Sequence, residues 1–111
     1  MPYDEVLAAR VDEVLGDRSD VTERRMFGGL AWLVRGNLAV AAHSRDGLLL
    51  VRVGAANHDA MLAEPGAATA IMGSRPMRGW VTVAPDAVAT PEELAAWVRR
   101  GVDYALTLPP K

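Results

Sequence analysis

Between Leu30 and Val53 run three apolar stretches, LAWLVR, LAVAAH and LLLVRV, separated only by Gly36-Asn37 and by SRDG. Parallel neighbours need a crossover of a dozen or more residues, so loops this short can join only antiparallel strands. Gly36-Asn37 suits a two-residue primed hairpin turn. With that loop Leu33 lies opposite Val40, and with 44–47 as the second loop Val40 lies opposite Val51. Alternation then sorts the side chains into two faces. One collects Ala31, Leu33, Leu38, Val40, Ala42, Leu49, Val51 and Val53 as a core face for helices. The other collects Leu30, Trp32, Val34, Ala39, Ala41, Leu48, Leu50 and Arg52. Both are largely apolar, whereas antiparallel sheets commonly keep one face wet. Two readings stay open for the second face. Either a helix covers it or a bulge shifts the register, or it is a dimer face formed by Leu30, Trp32, Val34, Leu50 and Arg52.

The flanks add helices. From Pro2 to Gly16, Tyr3, Leu7, Val11, Val14 and Leu15 share one helical face, with Asp4 and Glu5 in the first turn and Gly16 as a stop. VTERRMF reads as a first strand. AANHDAMLAE reads as a short helix ended by Pro65-Gly66, ATAIM as a short strand, and MRGWVTV as the last strand. The closing helix is marked by Thr90 as N-cap, Pro91 at the first position and Glu93 completing a capping box. Its stripe is Leu94, Trp97, Val98, Gly101, Val102, Ala105 and Leu106, with Pro109-Pro110 beyond. The sum is one α+β domain, residues 1–111: an antiparallel sheet of about five strands with three helices, in the order α-β-β-β-β-α-β-α.

Composition narrows the chemistry. The chain has no cysteine, which removes disulfides, thiolate metal sites and cysteine nucleophiles. Its net charge is −2, without the basic footprint of a protein that grips nucleic acid, so direct nucleic-acid binding is not expected. No apolar run reaches membrane-span length, and the acidic N-terminus lacks a signal-peptide pattern. A cytoplasmic domain is expected.

No catalytic constellation appears. Gly28-Gly29 lies between strands rather than between a strand and a helix, so it reads as a tight bend or bulge and not as a phosphate loop. His43 and His58 form no metal-ligand pattern and read as surface or edge residues. Asp12-Glu13 and Glu92-Glu93 read as solvated helix faces. Ser19, Ser44 and Ser74 sit in turns with no base beside them. Arg24, Arg25, Arg75 and Arg78 would form an anion patch if their strand ends met; alone, they would cover apolar neighbours with their stems. Arg52 stands among apolar residues and should need a polar partner if covered.

RMFGGLAWLVRGNLAV, LLVRV, SRPMRGW, PEELAAWVRRG and the closing LPPK resemble the N-terminal domain of the TfoX/Sxy family over essentially the whole chain. The most specific pieces are Met26, Phe27, Gly28 and Gly29 with the following Gly36-Asn37, and RPMRGW. The resemblance implies helices against a curved antiparallel sheet and a bacterial, competence-regulator-like role. Such regulators are understood to assist a transcription factor of the cyclic-AMP receptor type. Long members carry a second domain, and the chain is read as a single-domain member. The expectation is a non-enzymatic binding or regulatory module acting through protein contacts, homodimeric, with no cofactor and no metal. The alternative is a small-ligand or anion-binding protein using Arg24, Arg25, Arg75 and Arg78.

Overall fold

A computed structural model describes residues 3–26, 28–42 and 46–111. Phe27, His43 and Ser44 lie outside the described residues. The elements run α1 (Glu5–Leu15), β1 (Val21–Met26), β2 (Gly29–Val34), β3 (Asn37–Ala42), β4 (Leu49–Arg52), α2 (His58–Leu62), β5 (Ala67–Met72), β6 (Arg75–Val83) and α3 (Pro91–Leu106). Short 3-10 turns precede α2 and α3. The sheet is antiparallel and six-stranded, in the order β1-β2-β3-β4-β6-β5. It has one strand more than expected, because β5 and β6 form a full hairpin around Gly73-Ser74 at one edge.

The helix ends follow local chemistry. Asp4 caps α1 by accepting hydrogen bonds from the backbone N–H groups of Val6 and Leu7, at 2.9 and 3.1 Å. The expected capping box starts α3: Thr90 Oγ1 accepts from the Glu93 N–H, and Glu93 accepts from the Thr90 N–H, both at 3.1 Å. These caps satisfy donors that the first helical turn leaves free. Of the anticipated α3 stripe, Leu94, Trp97, Val98, Gly101, Val102 and Ala105 are buried, while Leu106 is exposed.

The predicted β2–β3 turn is corrected by one residue. Val34 pairs with Asn37, so the turn residues are Arg35 and Gly36, both with positive φ (51° and 85°). That is the signature of a type I′ hairpin. Moving a two-residue turn by one position shifts the pairing by two residues, from Leu33–Val40 to Leu33–Leu38, so Leu33 and Leu38 still share a face as expected. The faces change because of a bulge, one of the readings left open above: Leu33 pairs with Leu38 but Trp32 pairs with Val40, which leaves Ala39 as the extra residue and turns Val40 and Ala42 to the other face. The β3–β4 register is as expected, with Val40 opposite Val51.

The two faces are therefore recomposed. Under the helices lie Trp32, Val34, Val40, Ala42, Leu49, Val51, Val53, Val81 and Val83, packed with Leu7, Val11 and Leu15 of α1 and with Leu94, Trp97, Val98 and Val102 of α3. The opposite face carries Ala31, Leu33, Leu38, Ala41, Leu50 and Ala70. No described helical residue belongs to that second cluster. Alanines keep its centre low, and the longer, half-buried Met26, Met77 and Trp80 close over its rim. The predicted dimer face is thus split. Trp32 and Val34 are core residues of the helical side, with Leu30 packed beside them, while Leu50 belongs to the opposite side.

Gly101 sets the distance between the layers. A β-carbon there would stand 2.5 Å from the Ala39 carbonyl oxygen and 2.9 Å from a Val40 methyl. Only the bare helix backbone fits over the bulge.

Candidate functional site

The bulged strand β6 brings together most of the chemistry in this molecule. Along β5 its partners run Thr69↔Val81 and then Ala70↔Met77, so Arg78, Gly79 and Trp80 have no β5 partners. The distortion frees backbone groups, and those of Gly79 find partners elsewhere. The Gly79 carbonyl accepts from the N–H groups of Val53 and Gly54, at 2.8 and 3.0 Å. The Gly79 N–H donates to His58 Nδ1 at 2.8 Å. Because Nδ1 accepts, the ring proton sits on Nε2, which donates to Thr69 Oγ1 at 3.0 Å. His58 is 3% exposed. This corrects the expectation of a surface residue: the bulge creates a buried donor that a short helix answers with an imidazole.

Beside this hub stands Arg52, paired across the sheet with Trp80. Its guanidinium lies 5.0 Å from the centre of the Trp80 ring and 5.5 Å from that of Tyr104 on α3. Gly54 makes the second contact possible, since a β-carbon there would collide with the Tyr104 ring. Gly54 (φ 86°) and Gly79 (φ 95°) both hold conformations that side-chain-bearing residues resist. Arg52 makes no hydrogen bond or ion pair with any carboxylate or carbonyl among the described residues. The expected polar partner is replaced by two ring faces. Sequence reasoning did not single out Tyr104, which falls outside the apolar stripe of α3.

The four arginines foreseen as an anion patch are dispersed. Arg24 and Arg25 are exposed on β1, whereas Arg75 and Arg78 lie on β6, with β2, β3 and β4 between. Strand pairing does not bring them together, and Arg78 already meets Asp59 at 3.3 Å. Arg25 lines a shallow cleft with Tyr3, Met26, Gly28 and Gly29. Gly28 supplies the positive φ (73°) of the β1–β2 turn, and Gly29 is an ordinary strand residue. Asn37, singled out for the hairpin, is buried and donates through its amide to the Pro109 carbonyl at 2.9 Å. Gly36 sits against Lys111.

Two other polar groupings stand apart. Asp12, expected to be solvated, accepts from the Trp32 indole N–H at 2.8 Å and ties α1 to β2. Glu23, opposite Trp32 on β1, is drawn into this contact. Its hydrogen bond with Asp12 raises the Glu23 carboxyl above its ordinary range, with burial and the charge of Asp12 adding to the effect. On α3, Arg100 lies over the Trp97 ring at 4.3 Å and meets Glu64 at 3.3 Å. Among the described residues, no group of three or more histidine, aspartate or glutamate side chains converges as a metal site. No helix among them is long and apolar enough to cross a membrane.

The outer edge of the sheet completes the picture. β5 reads AATAIM, carries no charge, and pairs on one side only. Ala68 and Ile71 are exposed, Ile71 to 59%. Ile71 and Met72 continue into an apolar cavity of about 80 Å³ lined by Leu50, Ala70, Met77, Trp80 and Thr82.

Searches among curated proteins and among solved structures return no match. The family description "TfoX N-terminal domain" matches residues 13–105. That span takes in the meander, the bulged strand with its arginine and aromatic rings, and nearly all of α3, and by it the chain belongs to the TfoX N-terminal domain family.

Proposed function

We propose that this domain is a non-enzymatic regulatory module that works through protein–protein contacts, and that its docking element is the outer edge of β5. Membership of the TfoX N-terminal domain family supports a competence-regulator-like role. The observation that carries the docking element is the uncharged, exposed edge strand. Unpaired strand N–H and C=O groups are a template for another strand. A second copy satisfies them most simply: β5 meets β5 of its partner across a two-fold axis, an isologous contact that closes on itself. The apolar rim around Ile71, Met72 and Met77 then lies along the seam. A transcription factor offering an extended segment would use the same groups. The anion-binding alternative built on Arg24, Arg25, Arg75 and Arg78 gains no support from their placement.

The test is molar mass by light scattering, with circular dichroism alongside. Wild type should be dimeric at micromolar concentration. Ala68→Lys combined with Ile71→Lys should be monomeric with an unchanged spectrum, because both positions are exposed and surface substitutions perturb folding little. A wild type that stays monomeric at high micromolar concentration would overturn the pairing. Trp32→Glu would not test it, because Trp32 is buried under α1 and α3 and a charge there would unfold the subunit.

A further inference from the structure

We propose that Arg52, which lies over the rings of Trp80 and Tyr104, is the head of a binding site for a carboxylate that carries a short apolar substituent. The inference rests on the clamp and its neighbouring cavity, and not on the pairing of β5.

Three observations converge. The guanidinium lies over two aromatic rings, and no described carboxylate or carbonyl engages its N–H groups. A guanidinium that lies over rings keeps its in-plane N–H fork, the geometry that matches a carboxylate with two parallel hydrogen bonds. Second, the arrangement is built in. Gly54 leaves the room that Tyr104 fills, the Gly79 bulge displaces Trp80 from its β5 partners, and buried His58 holds Gly79. An arginine that merely lay along apolar surface would need none of these. Third, Arg52 and Trp80 form one cross-strand pair and Leu50 and Thr82 the next pair on the same face. Trp80 is common to the clamp and the cavity: its ring lies 5.0 Å from the Arg52 guanidinium and also lines the small apolar cavity, with Leu50 and Thr82 on one side and Ile71 and Met72 of β5 on the other. A cavity of about 80 Å³ admits a few carbon atoms, not a nucleotide or a sugar. Charge at one end and a short apolar slot at the other select a small aliphatic carboxylate. The same chemistry is offered by a free acid and by the C-terminus of a peptide ending in an aliphatic residue.

The experiment is a two-dimensional amide, indole and guanidinium NMR titration of isotope-labelled protein. The probes are hexanoate, hexanamide, an acetylated Ala-Ala-Leu peptide with a free C-terminus, and the same peptide as its C-terminal amide. Hexanoate or the free peptide should shift the Trp80 indole and Arg52 Nε–H signals saturably. The matching amides should bind at least about tenfold more weakly, the scale of a lost charge-assisted pair. The tighter of the two acids identifies the source. Arg52→Gln should abolish the response, and Arg52→Lys, which keeps the charge without the fork, should fall between; thermal melting confirms that both are folded. The proposal is overturned by equal responses to acid and amide, by an Arg52→Gln protein that responds like wild type, or by no response at millimolar probe. Light scattering on the same samples separates the two proposals. A dimer without a carboxylate response sinks only the clamp, and a monomer that responds sinks only the pairing.

Discussion

The two edges of the sheet are protected in opposite ways. β1 reads VTERRM, with Glu23, Arg24 and Arg25 exposed along its middle. β5 reads AATAIM, with no charge at all. Both are six residues long and both are paired on one side only. Charges on an edge strand repel or must be desolvated before another strand can add, so β1 is guarded and β5 is not. The edges are also anchored differently. β1 is linked to the helical layer near the protein surface, through Glu23, Asp12 and the Trp32 indole. β5 is tied to the interior through the Thr69 hydroxyl and buried His58. The difference teaches that the uncharged edge is the one anchored to a buried side chain, while the charged edge is anchored through carboxylates.

The largest effect should come from breaking the His58 anchor. His58→Ala leaves the Gly79 N–H without its acceptor and opens a cavity between α2 and the sheet. The expected loss is about 3 kcal/mol of stability, read from denaturant unfolding. Hydrogen exchange should quicken in β5 and β6 and stay slow in β2 and β3. Uniform acceleration across all strands would show that the two edges do not differ in how they are held.

Removing the guard from β1 should change mass rather than stability. Glu23→Thr, Arg24→Thr and Arg25→Thr together leave both edges uncharged. A chain with two open edges can add partners at each end, so light scattering should show species larger than the wild type, in proportion to concentration. An unchanged mass would mean that charge is not what keeps β1 apart.

The smallest effect concerns pH. The Glu23 carboxyl is raised in the folded protein, mainly by its hydrogen bond with Asp12. A group whose folded pKa exceeds its unfolded value favours folding while it is protonated. That contribution is complete below the unfolded pKa, about 4.3 for glutamate, and is lost as pH rises through the folded value. At neutral pH the two carboxylates repel. Glu23→Gln should therefore melt slightly higher than wild type at pH 7, with the difference vanishing in acid. A constant offset across that range would place the interaction elsewhere.

How far the sequence could be read depends on how local each determinant is. The α3 start was legible because Thr90, Pro91 and Glu93 act within one turn. The Val40–Val51 register was legible because loop length alone sets it. The β2–β3 turn was misplaced by one residue because its determinants lie far off. The Arg35 N–H donates to the Asp20 carbonyl at 2.8 Å, and the Arg35 carbonyl accepts from the Lys111 N–H at 2.9 Å. Those contacts hold a non-glycine residue at positive φ and leave Asn37 free to point inward at Pro109. His58 was misread for a similar reason, since the bulge it serves lies 21 residues along the chain. The arginines followed the same rule. Their identity could be read locally, but which strands lay between them depended on the whole sheet order.

The contact between Gly101 and the Ala39 bulge bears on how the chain holds this arrangement. A hairpin turning at Gly36-Asn37 and one turning at Arg35-Gly36 differ by a single step, and both bury apolar faces. In the second, Ala39 stands out from the ladder. α3, whose sequence lies more than fifty residues further on, meets that carbonyl with bare backbone and with nothing else. Position 101 thus ties the register of the first hairpin to the last helix: any side chain there would press on the Ala39 carbonyl and lift α3 from the bulge.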